Sequence, residues 1–207
     1  MLHIITPLYR FEFLEKIYNS IYDDEDITWH ISKSNKREEV NYDFIKTDKR
    51  IKIYNVECED NEAHLKRKHV LEQINEGYFC FIDDDTIFHE NMYVVYKKYK
   101  ELNFKGMVIG QQINKDNSLR LPASKPVYCK IDIGNVLCHF SCLQDCKYPM
   151  THIPKVNAKD FLFWDSVYNF YGKKCELLNE PISYYNKLSK DDRWKKEKKV
   201  LKITKTK

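Results

Sequence analysis

The chain of 207 residues contains no apolar run approaching the roughly 18–20 residues needed to cross a bilayer. Its first stretch, Met1 to Tyr9, lacks a basic segment followed by a long apolar one, so it does not read as a signal peptide. There is no Asn-x-Ser/Thr sequon, no internal repeat, and no Cys-x-x-Cys pair among the seven scattered cysteines. An odd, unpatterned cysteine set suits a reducing compartment, so a cytoplasmic location without a transmembrane segment is expected. An excess of one charge is also lacking. With 35 basic and 31 acidic residues the net charge is +4, and Lys is frequent in the tail Lys195–Lys207. A near-neutral body argues against a general nucleic-acid binder. Glycine is scarce, and none falls in residues 6 to 12, so no glycine-rich phosphate loop follows the first apolar segment.

What is present is enough for a real core: 43% apolar residues and 14% aromatics, in a length that suits one domain. Leu2 to Thr6 reads as a strand ended by Pro7. Leu14, Ile17, Tyr18 and Ile21 then recur at helical spacing. Strands are expected at Ile27–Ile31 and Ile51–Val56. A helix capped by Asp60 or Asn61 turns Val70, Leu71 and Ile74 inward and ends at Gly77. Met92, Val95, Tyr96 and Tyr99 mark a further helix. The alternation β-α-β-β-α-β-α implies a mostly parallel sheet with helices on its faces, whose ligands bind beyond the carboxyl ends of the strands. The second half is less regular. Strands are expected at Met107–Gln111, Val127–Ile133 and Ile182–Tyr185. A helix is expected from about Asn157 to Tyr171, and Ser189 and Asp192 resemble a capping box.

The chain is organised around Tyr78-Phe79-Cys80-Phe81-Ile82-Asp83-Asp84-Asp85. Five apolar residues free of Gly and Pro read as a buried strand running into three carboxylates. On extended backbone Asp83 and Asp85 would share a face, with Asp84 on the other. Adjacent carboxylates repel, and a hard divalent cation, Mg²⁺ or Mn²⁺, would relieve that repulsion. The plainer alternative is an acidic turn before the next helix.

These segments resemble the GT-A glycosyltransferases, in particular the large inverting family 2. Ile4-Ile5-Thr6-Pro7-Leu8-Tyr9-Arg10 with Phe13-Leu14 is similar to that family's opening strand and helix. Phe81-Ile82-Asp83-Asp84-Asp85 matches its D-x-D motif, and Lys159-Asp160-Phe161 stands where the family has Glu-Asp and an aromatic. The likeness spans residues 2 to 190 and rests on short motifs. It implies a single α/β domain over residues 1–194, with a nucleotide-binding half to about 105, an acceptor half beyond it, and a basic tail or linker at 195–207 that suggests part of a longer polypeptide.

The resemblance implies transfer of a sugar from a nucleoside diphosphate, UDP being the family's commonest carrier, to a glycan or glycoconjugate hydroxyl. Asp85 would be a metal ligand, Asp83 would face the metal or ribose, Asp84 would support both, and Asp160 would be the general base. Thr6, Pro7, Tyr9 and Arg10 would hold the nucleotide base, with Tyr9 either stacking or core, and Arg67 would meet the diphosphate or ribose. Leu188 stands where the family often has a metal-binding His. That leaves His152 or His139 as the third ligand, or Lys187, Lys190 and Arg193 as a cationic clasp on the diphosphate, with Trp194 over the sugar. Two other readings compete. One is a sugar-1-phosphate nucleotidyltransferase, disfavoured by the missing glycine loop. The other is a non-catalytic sugar- or nucleic-acid-binding module with a zinc site in the run Cys138 to Cys146, where Cys138, Cys142 and Cys146 would share one face of a helix and His139 is adjacent.

Overall fold

The computed structural model describes residues 1–143, 159–170 and 174–188. Its centre is an eight-stranded sheet: β1 (Leu2–Pro7), β2 (Ile27–Ser34), β3 (Ile51–Val56), β4 (Tyr78–Phe81), β5 (Met107–Ile113), β6 (Leu119–Leu121), β7 (Val136–His139) and β8 (Cys175–Tyr184). The order is β3-β2-β1-β4-β7-β5-β6, with β8 paired to β5. β1, β2, β3 and β4 are mutually parallel, and β8 is parallel to β5. β7 lies antiparallel between β4 and β5. The expected mostly parallel α/β sheet is therefore present.

Alternation along the strands builds two cores. Leu2 and Ile4, Trp29 and Ile31, and Tyr78 and Cys80 point to one face, where α1 (Leu14–Tyr18) and α4 (Asn91–Glu101) cover them. Ile5, Phe79 and Phe81 point to the other, beneath α3 (Ala63–Leu71) and α5 (Lys159–Phe170). Phe79, Phe81, Phe163 and Trp164 interlock there, with ring centroids 4.6–6.1 Å apart. α2 (Asp43–Thr47) is a single extra turn between β2 and β3. All four residues expected to form the inner face of α4 are buried.

Two expected elements differ. Val127–Ile133 is not a strand. Cys129 takes a left-handed conformation (φ 62°), and Asp132 caps a 3-10 turn over Ile133–Asn135 by accepting from the Gly134 N–H. The pairing strand is Val136–His139, one segment later. β8 begins at Cys175, well before Ile182. Ser189, Asp192 and the tail at 195–207 lie outside the described residues. No helix among the described residues is long and apolar enough to cross a membrane.

Candidate active site

Because β1, β2, β3 and β4 are parallel, the loops after Pro7, Ser34, Val56 and Phe81 share one edge of the sheet. A cavity of about 260 Å³ opens there, lined by Pro7, Tyr9, Arg10, Asp60, Asn61, Ala63, Lys66, Arg67, Asp83 and Asp84. Thr6 does not reach it. Its side chain is fully buried and its hydroxyl accepts from the Trp29 indole N–H at 2.9 Å. Tyr9 is not core: it is 49% exposed, with the Arg37 guanidinium 5.0 Å from its ring centre. Lys66, fully buried, donates to the Leu8 and Asp60 carbonyls at 2.7 Å and so pins the cavity floor.

The strand ends at Phe81, so the three carboxylates stand on a turn and not on extended backbone. The alternating-face expectation fails for that reason. Asp84 and Asp85 share Arg10. The Asp84 carboxylate accepts from Arg10 Nε at 2.9 Å, from Arg10 Nη2 at 2.5 Å and from the backbone N–H groups of Tyr9 and Arg10. Asp85 meets Arg10 Nη1 at 2.8 Å. Arg10 is thus turned toward the carboxylates. Burial pushes the Asp85 carboxyl up to about 6; Arg10 opposes that, and the neighbouring Asp83 and Asp84 add to it.

Asp83 turns toward α3. Its side chain keeps 41% of its surface and meets Arg67 Nη2 at 2.5 Å. Arg67 is not an exposed helix cation. It is buried, lies 5.6 Å from the Phe81 ring centre, and its Nη1 stands 3.6 Å from Asp160 at the start of α5. One guanidinium therefore bridges Asp83 and Asp160, the carboxylate expected as base. The Asp160 side chain keeps 37% of its surface, yet its carboxyl is crowded by protein. Burial pushes it up to about 7, against Arg67, with Asp132 and Asp83 adding to the rise; the Ile133 N–H bonds the ionised form.

Asp132 escaped the sequence reading. It is held by the Gly134 N–H at 3.1 Å, Gln112 Nε2 at 3.1 Å and Arg120 Nη1 at 3.0 Å. Arg120 in turn stacks 3.5 Å from the Tyr185 ring centre. Ile131-Asp132-Ile133 has the apolar-polar alternation of a strand, which hid a cap aimed at the site.

The exit of β8 is tied to the carboxylate turn. Leu188 N–H donates to the Asp85 carbonyl at 2.7 Å, and Thr86 Oγ1 donates to the Tyr184 carbonyl at 3.0 Å. Position 188 is thus beside Asp85, and it carries an aliphatic side chain. Lys187 lies over the Tyr184 ring and bonds the Lys115 carbonyl at 3.3 Å. Lys190, Arg193, Trp194 and His152 lie outside the described residues. His139 pairs with Tyr78 at the opposite end of β4, bonded to Ser141, and is not near the carboxylates. Cys138 is in a strand and Cys142 in a 3-10 turn, both buried in the core, so the shared helical face expected for a zinc site does not exist at these two; Cys146 is outside the described residues.

Among the described residues, no three His, Cys, Asp or Glu side chains converge as a metal cage. Asp83 and Asp85 nevertheless offer hard oxygens of the kind Mn²⁺ or Mg²⁺ takes, and such ions commonly bind one or two carboxylates plus substrate phosphates. Burial is the larger cause of the rise at Asp85; the smaller part, repulsion from Asp83 and Asp84, is one that a cation would relieve. The Asp83 and Asp85 oxygens are of a type such an ion takes, while in this structure Asp83 is paired with Arg67 and Asp85 with Arg10.

The sheet order, parallel around β1 with helices on both faces, makes a Rossmann-like α/β domain, and solved structures share that fold. Staphylococcus aureus TarS (residues 1–349) superimposes with a TM-score of 0.66 at 12% identity, covering 88% of this chain and 59% of that one. The same protein in complex with UDP gives 0.65 at 13%, covering 89% and 60%, and in complex with UDP-GlcNAc 0.62 at 12%, covering 89% and 58%. The chain thus spans about three-fifths of the TarS fragment. At these identities the likeness is one of fold. No protein-family model and no curated protein sequence matches the chain.

Proposed function

We propose that the protein is a nucleotide-sugar glycosyltransferase of the family 2 type, moving a sugar from a nucleoside diphosphate, with UDP the favoured carrier, to an acceptor hydroxyl with inversion. The observation that carries this is the Asp83–Arg67–Asp160 bridge at the carboxyl edge of the sheet, beside the 260 Å³ cavity. Complexes of TarS with UDP and UDP-GlcNAc support the choice of carrier.

In this reading Pro7, Tyr9 and the Asp60–Asn61 loop receive the nucleoside. Arg67 meets the diphosphate or ribose, and Arg10 fixes Asp84 and Asp85. Asp160 accepts the acceptor hydroxyl proton as that oxygen attacks the sugar C1. The bond from C1 to the diphosphate oxygen breaks, and its electron pair leaves with the nucleoside diphosphate. A base that titrates near 7 is half-ionised at neutral pH and strong enough to take the proton, which is where general-base catalysis works best. Mn²⁺ or Mg²⁺, held by Asp83 and Asp85, would supply charge neutralisation to the leaving diphosphate.

Asp160→Asn keeps the shape and loses the base. It is expected to bind UDP as the native protein does and to lose transfer by about 10²-fold or more. UDP calorimetry and product formation from UDP-sugars test this together. Native-rate transfer by the Asn variant would remove Asp160 from the role.

A further inference from the structure

Tyr128 is not part of the donor cavity, and it is 54% exposed on the loop that leads to Asp132. Its loop is held by the Lys130 N–H on the Val127 carbonyl at 2.9 Å and by the Ser124 hydroxyl on the Lys130 carbonyl at 3.2 Å. Cys129, next to it, takes φ 62°, a conformation non-glycine residues seldom adopt. Past buried Ile131 the same loop reaches Asp132 and Ile133, which face Asp160. A second link runs through Phe161, the residue after Asp160. The Tyr128 and Phe161 rings meet edge to face, with centroids 6.0 Å apart and planes at 74°. In that geometry each ring keeps at least one face clear of the other. Phe161 is half-buried against the core and anchors the pair.

An exposed ring tied by two routes to a general base is a costly way to fill solvent. It is a suitable way to position a sugar. One face of a pyranose is lined by C–H hydrogens that carry partial positive charge, and an aromatic face carries negative charge. The Asp160 side chain, 37% exposed, carries carboxylate oxygens able to accept a hydrogen bond from a sugar hydroxyl. Arg67 and Asp83, which do line the donor cavity, meet Asp160 from the donor side; Tyr128 and Phe161 come from the second half of the chain.

We propose that Tyr128, braced by Phe161, is the stacking platform for a pyranose ring of the acceptor, so that the acceptor is a cyclic sugar and not an acyclic polyol. The acceptor role rests on the reading of Asp160 as base; the sugar-stacking role does not. The test is saturation-transfer NMR with methyl β-glucopyranoside, methyl β-galactopyranoside and methyl N-acetyl-β-glucosaminide, with ribitol as the acyclic comparison, beside UDP calorimetry. At least one pyranoside should give ring-proton signals well above ribitol. Tyr128→Ala should reduce them about five-fold or more, the scale of one ring-stacking contact. Tyr128→Phe should keep them, and all three proteins should bind UDP alike. Pyranoside signals no stronger than ribitol, or unchanged in Tyr128→Ala, would overturn the platform while UDP binding left the donor reading standing. Absence of UDP binding with Tyr128-dependent pyranoside signals would overturn the acceptor role and keep a sugar site.

Discussion

At the residue scale the site turns on one guanidinium. Arg67 meets Asp83 at 2.5 Å and Asp160 at 3.6 Å, and it favours the ionised form of Asp160. Removing a neighbouring cation raises a carboxyl's pKa. Arg67→Gln should therefore move the alkaline-rising limb of the pH–rate profile upward from about 7, and should weaken UDP binding about ten-fold, the scale of a lost charge-assisted contact. The sign follows from the base role: the rate climbs as Asp160 loses its proton and levels off above its pKa. A profile for the Gln variant that coincides with the native one would detach Arg67 from the base. The carboxylates were legible as a cluster because three Asp directly follow an apolar strand. Their directions were not. The strand stops at Phe81, and Arg10, remote in sequence, draws Asp84 and Asp85 together. Asp132 was hidden because its neighbours mimic a strand.

At the element scale, α3 shows why the site could be read only in part. Its buried positions include Lys66 and Arg67 beside Val70 and Leu71, so its inner face is apolar at one end and cationic at the other. Apolar periodicity finds the first half and discards the second. The strands of the first half were readable because β1, β3 and β4 are short apolar or alternating runs with clear breaks. β7 was misplaced because the capped turn at Asp132–Asn135 interrupts what looks like continuous strand. One break depends on glycine. Gly77 sits at φ +81° just before β4, and a Cβ there would stand 2.6 Å from the Met1 carbonyl oxygen. Gly77→Ala should lower stability by roughly 2 kcal/mol or more, from the left-handed backbone and the backbone clash together. Urea denaturation measures it, and an unchanged midpoint would contradict the account of this junction.

At the scale of the whole molecule, the sheet buries a polar line that takes no part in the proposed reaction. His3 Nδ1 and His30 Nε2 are 3.0 Å apart, and His30 Nδ1 is 3.0 Å from the Tyr54 hydroxyl. Burial pushes His3 down to about 4, with the N-terminus and Lys52 adding, and pushes His30 down to about 3, with His3 and Lys52 adding. Both imidazoles stay neutral in the fold while the unfolded chain protonates them below about 6.5, so they remove stability as pH falls from there. Asp85 and Asp160, raised in the fold, act in the opposite direction over the same range, so the net acid sensitivity is a difference of the two. Imidazole resonances separate them: His3 and His30 should keep neutral chemical shifts at pH 5. Titration of either near 6.5 would contradict their burial as described.

The fold places the 260 Å³ cavity, Arg67 and the candidate base Asp160 at a single sheet edge, and the claim to test is that a nucleoside diphosphate sits there. UDP, GDP, CDP and dTDP titrated calorimetrically into the native protein and Asp83→Asn, with and without Mn²⁺, give the direct answer. The account predicts that one diphosphate, UDP, binds, more tightly with Mn²⁺, and that the Asn variant loses the metal-dependent part. Failure of all four nucleotides to bind under either condition would contradict it.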